Sequence, residues 1–450
     1  MCESTTICAP ATTTGGAIAV IRISGSDTFD ILSKVFTKDL HNAQGYTIHY
    51  GQIMDTSSMA VIDEVLISVF RAPRSYTGED SAEISCHASK YIVNQIINSL
   101  INNGCQAAEP GEFTKRAFLN GKMDLSQAEA VADLIASENK ASHDIALNQL
   151  KGGFTSELSA LRTHLLKLTS LLELELDFSD HEDLEFADRT ELKQLADLID
   201  GKVTALSRSF KAGQAIKAGI PVAIIGKTNV GKSTLLNRLL HEDKAIVSDI
   251  HGTTRDVIED TTVINGYTFR FIDTAGIRMT TDEVERLGIE RTYKKMEQAS
   301  IIIWLTDTVP SEEERTDIRK RTHDKKLICV RNKCDKTVST SPAPSDDFIR
   351  ISAQNGNNIE SLEKAIFSAA EIPEIRNGEV IITNSRHYSI LCKAHEEMLR
   401  VKESLALDIS GDLIAEDLRQ VLHTLAEITG GEISSQDTLN NIFDHFCIGK

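Results

Sequence analysis

The sequence predicts a multidomain chain: an α+β N-terminal domain, an all-α helical domain, and a parallel α/β domain inserted into the helical one. Three observations carry this. Short β-branched and alternating runs are confined to the first part of the chain, as strands of a half-buried sheet require. Proline-free helical periodicity fills the middle, breaks off, and returns towards the C-terminus. Between its two halves lie short, strongly apolar runs separated by helical segments, the pattern of a parallel sheet with crossover helices. The boundaries expected are 1–118 for the first domain, 119–215 with 379–450 for the discontinuous helical domain, and 216–378 for the insertion.

The N-terminal strands are expected around Ala17 to Ile23, Val65 to Phe70 and Ala82 to Cys86, with one helix from Ser89 to Asn102. From Ser126 the apolar positions recur every three or four residues through SQAEAVADLIASENKASHDIALNQL, break at Gly152-Gly153, and continue through SELSALRTHLLKLTSLLELELDF. A further helix is expected from Thr190 to Lys211. At Ile220 the pattern changes to PVAIIG, FRFIDTAG, IIIWLTD and KLICVRNKCD, each a buried-strand run. Helical character resumes after Glu379. The stretch STSPAPSDD at 339–347 reads as a surface loop of the inserted domain.

No apolar run approaches the ~18–20 residues that cross a bilayer, so no membrane role is expected. The N-terminus has no basic region ahead of an apolar core, which points to a cytoplasmic protein. Eight cysteines without a C-x-x-C pair fit reduced thiols better than zinc or a disulfide framework. A net charge of −18 excludes a surface that embraces nucleic acid along its whole length, because phosphate neutralisation needs clustered cations. Any RNA contact is local or shared with a partner.

Gly226-Lys227-Thr228-Asn229-Val230-Gly231-Lys232-Ser233 matches G-x-x-x-x-G-K-[ST] between a strand and a helix. Its backbone N–H groups would curl around GTP phosphates, Lys232 would balance their charge, and Ser233, followed by Thr234, would offer a hydroxyl to Mg²⁺. Asp273-Thr274-Ala275-Gly276 ends a later strand and brings a carboxylate and a mobile glycine to the phosphate side. Asn332-Lys333-Cys334-Asp335 ends another. There the Asp335 carboxylate can accept from guanine N1–H and the 2-amino group, a pair that adenine cannot supply. Ser352-Ala353 would give guanine O6 a backbone donor. The polar loop from Val247 to Asp256 has the character of a switch segment, with Thr254 the second protein hydroxyl on Mg²⁺. Ile277 occupies the position where Ras-like enzymes carry a water-orienting glutamine, so another residue must serve, and the acidic segment from Thr281 to Arg286 offers candidates. Together these motifs make the insertion a Ras-like G domain that hydrolyses GTP.

With GKTNVGKST, DIHGTTRD, DTAGIR and DEVERLGIE on the page, the chain resembles the MnmE (TrmE) family of tRNA-modification GTPases. GGAIAVIRISG, PRSYTGEDSAEIS, PGEFTKRAFLNGKMDLSQAEAVADLI and the terminal CIGK extend the resemblance over most of the chain, although TTTGG at 12–16 lacks the arginine often found there. The resemblance implies a homodimer formed through a folate-binding N-terminal domain. It also implies a flavoprotein partner, GidA (MnmG), with which the dimer forms a heterotetramer that adds a carboxymethylaminomethyl group at C5 of the wobble uridine of tRNA. By the same resemblance Asn229, Ser248, Ile250 and Thr253 ligate K⁺, and Glu285 positions the attacking water. Arg22, Glu79, Lys122 and Lys450 match the positions that hold 5-formyltetrahydrofolate.

Apart from the resemblance, a carboxylate such as Glu79 suits the amide and amino edge of a pterin, and cations suit its glutamate tail. Cys447 is either a nucleophile or a tail thiol. The ending CIGK is not a prenylation box, since Gly449 is not aliphatic. The competing reading is a regulatory or ribosome-assembly GTPase without one-carbon chemistry, which would have no use for the TGED, NGK and CIGK segments.

Overall fold

The computed structural model describes residues 5–13, 15–177, 189–241, 260–272, 297–322, 325–335, 347–372, 379–407, 409–431, 439, 442, 443, 446 and 449. They fall into two compact units. The first comprises Met1–Ala136, Leu147–Ile199 and Glu396–Lys450, and the second Ser137–Ala146 with Asp200–His395.

The first unit opens with β1 (Ile7–Pro10), β2 (Ile18–Ser24), α1 (Thr28–Val35), β3 (Thr47–Met54), β4 (Val61–Phe70), β5 (Ser81–His87), α2 (Lys90–Asn102) and β6 (Gln106–Ala107). The strands form one sheet in the order β3-β4-β5-β2-β1-β6, antiparallel except for the β1–β6 pair. Period-two alternation decides which face is covered. Ile21, Ile23, Val65, Ile67, Val69, Ala82 and Ile84 are buried in one cluster with Phe29 and Leu32 of α1 and Val93, Ile96 and Leu100 of α2. The other face carries Arg22 and Glu83, which are register partners, and the exposed Ile48, Tyr50 and Leu66.

Helices follow: α3 (Glu112–Leu119), α4 (Leu125–Ile135), α5 (Lys140–Leu150), α6 (Gly153–Asp177) and α7 (Arg189–Ala218). The continuous helical run expected from Ser126 to Leu150 is interrupted after Ile135. Asn139 restarts it, its side-chain oxygen accepting from Ser142 N at 2.8 Å, as a helix start requires. The start of α4 is fixed by a reciprocal capping box between Asp124 and Gln127. Within this unit Leu161, Leu165, Leu168 and Leu172 give α6 a buried stripe, and the last helix, Gly411–Thr429, packs along it. Beyond that helix the chain returns to α4, where Leu439 and Phe443 are buried with Leu125 and Ala128.

In the second unit β7 (Ile220–Ile225), α8 (Lys232–His241), β8 (Asp260–Ile264), β9 (Tyr267–Phe271), β10 (Ile301–Thr306), α9 (Glu312–Arg321), β11 (Lys326–Arg331), β12 (Ile349–Arg350) and α10 (Ile359–Ala369) build the α/β domain. Helix α11 (Ser385–Ala406) begins here, and α12 is the Gly411–Thr429 helix. The sheet order is β12-β11-β10-β7-β9-β8, parallel except for the β8–β9 hairpin. Asn265 and Gly266 make that hairpin's turn with φ of 51° and 84°, the two positive values a type I′ turn demands. Ile301, Ile303 and Leu305 on one face of β10 and Ile302 on the other are fully buried, as a strand covered on both faces must be.

Phe443 is 1% exposed, and truncation there leaves a void that its neighbours fill only in part. Phe443→Ala is expected to destabilise the first unit by about 3–5 kcal/mol. The readout is a lowered midpoint of its thermal unfolding transition, and an unchanged midpoint would contradict the packing described.

Candidate functional site

β7 lies between β10 and β9, where the winding of the sheet reverses, and crevices at such reversals bind ligands beyond the carboxyl ends of the strands. The loop 226–231 fills that position and leads into α8. Its path is tight. A Cβ on Gly226 (φ 153°) would strike the Leu305 carbonyl, and one on Gly231 (φ 100°) the Asn332 amide, so glycine is needed at both. Asn229 between them is left-handed at φ 63°. Val230 is buried and anchors the loop. Lys232 Nζ donates to the carbonyls of Gly226 at 2.8 Å and Lys227 at 2.7 Å, so the ammonium stands over the loop. Ser233 and Thr234 sit in the first turn of α8, where unsatisfied N–H groups and the helix dipole favour an anion.

The segment after β11 closes on this loop. Asn332 is 5% exposed; its Nδ2 donates to the Val230 carbonyl at 2.8 Å while its Oδ1 accepts from Ala353 N at 2.9 Å. One side chain thus ties the phosphate loop to the Ser352-Ala353 turn. Lys333 Nζ donates to the Asn229 carbonyl at 2.6 Å and to Asp307 Oδ2 at 2.9 Å. Asp335, exposed at the rim, accepts from Ser352 Oγ at 2.7 Å. Arg238 of α8 donates to the Gln354 carbonyl at 2.9 Å and braces the same turn.

The structure therefore brings Gly226, Asn229, Val230, Gly231, Lys232 and Ser233 together with Asn332, Lys333, Asp335, Ser352 and Ala353. Ser248, Ile250, Thr253, Thr254, Asp273, Thr274, Ala275, Gly276, Glu285, Cys447 and Lys450 lie outside the described residues. Sequence reasoning passed over Asp307, Arg238 and Glu314. Asp307 had a signal, being the first acidic residue beyond an apolar strand at the sheet's carboxyl edge. Its hydrogen bond from Lys333 holds its carboxyl below the usual range, and Lys227 does the same for Glu314.

In the N-terminal unit a cavity is lined by Arg22, Phe70, Tyr76, Thr77, Ser81 and Glu83. Arg22 holds Glu83 through Nε at 3.0 Å and Nη2 at 2.7 Å, and its Nη1 donates to the Gly449 carbonyl at 3.1 Å. The C-terminal tail thereby reaches the same place. Ser24, Thr77 and Ser81 form a buried hydroxyl cluster. Glu79 accepts from Ser24 Oγ at 2.8 Å and pairs with Arg116 at 3.3 Å, so the cluster separates it from the cavity's own carboxylate, Glu83. Burial raises the Tyr76 phenol above its ordinary value. Lys122 Nζ donates to the Pro73 carbonyl at 2.9 Å.

Comparison with known proteins gives matches over the whole chain. A family profile described as the MnmE helical domain matches residues 125–447, and one described as the GTP-binding protein TrmE N-terminus matches residues 6–122. The chain is 52% identical over 498 residues to the tRNA modification GTPase MnmE of Phocaeicola vulgatus, covering 100% of both. It is 53% identical over 462 residues to the protein of that name in Parabacteroides distasonis, covering 99% of this chain and 100% of the relative. The protein of Bacteroides thetaiotaomicron is 51% identical over 465 residues, with 99% of each covered.

Asn332→Ala removes both bonds of the strut at once. Titration with a fluorescent guanine nucleotide is expected to show binding weakened by at least about tenfold, the scale of one or two buried hydrogen bonds. Unchanged affinity would mean that the two loops hold their places without it.

Proposed function

The chain belongs to the MnmE family of tRNA modification GTPases, and from that premise we propose how its sites divide the work. It is a GTPase with an N-terminal TrmE domain, a helical domain and a G domain. The proposed reading goes further: a K⁺-dependent GTP hydrolase in the cytoplasm whose cycle serves carboxymethylaminomethyl modification at C5 of the tRNA wobble uridine. The observation that carries the GTP site is the Asn332 strut, whose two hydrogen bonds join the 226–231 loop to the Ser352-Ala353 turn and so support reading them as the two halves of one site. We divide the chain at 1–118, 119–215 with 379–450, and 216–378.

On the phosphate side Lys232 would exchange two loop carbonyls for phosphate oxygens, and Ser233 with Thr254 would hold Mg²⁺. The fit of Asn229 to K⁺ has a physical basis. Its backbone carbonyl already accepts from Lys333, while the residue itself is exposed, so its amide oxygen is what it offers a cation alongside Ser248, Ile250 and Thr253. When bound, the two cations offset charge on the β- and γ-phosphate oxygens. Glu285 would orient water in place of the absent glutamine, and Asp273 to Gly276 would follow the γ-phosphate. Asp335 would read the guanine edge.

The N-terminal domain would bind 5-formyltetrahydrofolate through Arg22, Glu79, Lys122 and Lys450, with Cys447 beside it. Support comes from the Arg22–Gly449 hydrogen bond, which carries the tail to β2, and from the flanking of one hydroxyl cluster by Arg22 and Glu79. Homodimerisation through this domain is supported by the open sheet face, where Ile48 is 67% and Tyr50 55% exposed. The net charge of −18 favours a partner, the flavoprotein GidA (MnmG), that carries much of the tRNA contact in a heterotetramer.

Two measurements test this division of labour. GTP turnover is expected to be at least about tenfold faster in K⁺ than in Na⁺ at matched ionic strength, since charge neutralisation at the phosphates is worth that much; equal rates contradict the K⁺ site. Calorimetry of the full chain should show heat with 5-formyltetrahydrofolate that Glu79→Ala reduces by about tenfold in affinity, a carboxylate's charge-assisted bonds being lost. A wild type without folate heat, or a variant that binds equally, removes the site.

A further inference from the structure

Asp307 is the first residue beyond β10. Thr306 pairs with Arg331 in the β10–β11 register, and Asn332 N donates to the Thr306 carbonyl at 2.7 Å, so the two strands deliver Asp307 and the 332–335 segment to one spot. There Lys333 Nζ sits between Asp307 Oδ2 at 2.9 Å and the Asn229 carbonyl at 2.6 Å. Asn229 and Lys333 are both left-handed, at φ 63° and 61°. Asparagine tolerates that conformation, but for lysine it costs roughly 1–2 kcal/mol and persists only where surrounding contacts impose it. The ammonium supplies such a contact to both residues at once. Each partner keeps 35% side-chain exposure, so water screens the charges in part, and what fixes the pair is the hydrogen bond together with the Asn229 carbonyl on the same ammonium.

The segment that follows grips the loop a second time. Glu314 of α9 accepts from Ser311 N in a capping box and pairs with Lys227 of the phosphate loop, so the start of α9 is tied to the loop by the same carboxyl that caps it.

We propose that Asp307 is a positioning residue of the guanine-nucleotide site: it holds Lys333 against the Asn229 carbonyl and so keeps the base-reading segment in register with the phosphate loop. It touches no reacting atom. Its effect is on the shape presented to any guanine nucleotide, whether or not a γ-phosphate is present. The proposal rests on the GTPase reading above.

The test uses the full chain and fluorescent N-methylanthraniloyl GDP and GTP. Asp307→Ala is expected to weaken both nucleotides in parallel, by about tenfold for loss of a charge-assisted hydrogen bond. The turnover number at saturating GTP should stay within about twofold of wild type, because ground and transition states lose the same contact. Asp307→Asn, whose amide oxygen still accepts from the ammonium, should recover most of the affinity. If Asp307→Ala does not fold, Asp307→Ser, too short to reach Lys333, carries the same expectation. The proposal is overturned by unchanged affinity, by loss confined to one nucleotide, by a fallen turnover number with intact binding, or by Asp307→Asn behaving as Asp307→Ala. A purely structural role would lower the thermal midpoint and leave nucleotide affinity intact. A wild type that binds neither nucleotide would sink the GTPase reading itself, a result distinguishable from all of these.

Discussion

A single buried amide holds the nucleotide site together. Asn332 spends its donor on the phosphate loop and its acceptor on the Ser352-Ala353 turn, joining segments more than a hundred residues apart in sequence. A buried amide left half-satisfied is costly, so each loop is held in place by the other's presence. The close approach also explains the glycine at 231: a Cβ there would collide with the Asn332 amide, and the strut could not form. Loop shape, strand register and side-chain identity are one constraint seen from three sides.

The N-terminal site is organised by charge pairing. Arg22 and Glu83 are directly opposed on neighbouring antiparallel strands, a placement that the period-two pleat makes automatic once the register is set. Arg116 pairs with Glu112 one turn earlier on α3 and with Glu79 of the β4–β5 loop. The hydroxyls of Ser24, Thr77 and Ser81 fill the space between these two ionic groups, so polar atoms that burial would penalise satisfy one another. On the proposed folate reading, a pterin edge approaching Glu79 would have to share it with Arg116 and Ser24.

What was legible in the sequence follows from length and period. β7 and β10 announced themselves as near-continuous apolar runs, and β9 and β11 as shorter apolar stretches that lead into the polar motifs DTAG and NKCD. β1 and β6, of four and two residues, are too short for any periodicity to register. The segments 226–233 and 332–335 stood out because glycine, lysine and carboxylate at that spacing suit phosphate and guanine, and the structure brings the two segments together. Asp307 showed only as an acidic residue closing an apolar run; its proposed role exists only once the β10–β11 register brings it to a lysine 26 positions away in the chain. Asn265-Gly266 did carry a hairpin signal of its own. Its two positive φ values show that the signal was sound, and that a two-residue turn is easily passed over between stronger motifs.

The two lysines of the site face different exchanges. Lys232 donates to two loop carbonyls, neutral acceptors that a phosphate oxygen outcompetes because a bond between two charged groups is shorter and about twice as strong. Lys333 already has a carboxylate, Asp307, as well as a carbonyl. Phosphate would gain far less by displacing it. On the proposed reading Lys232 exchanges its loop carbonyls for phosphate oxygens, while Lys333 keeps its carboxylate and its bond to the Asn229 carbonyl.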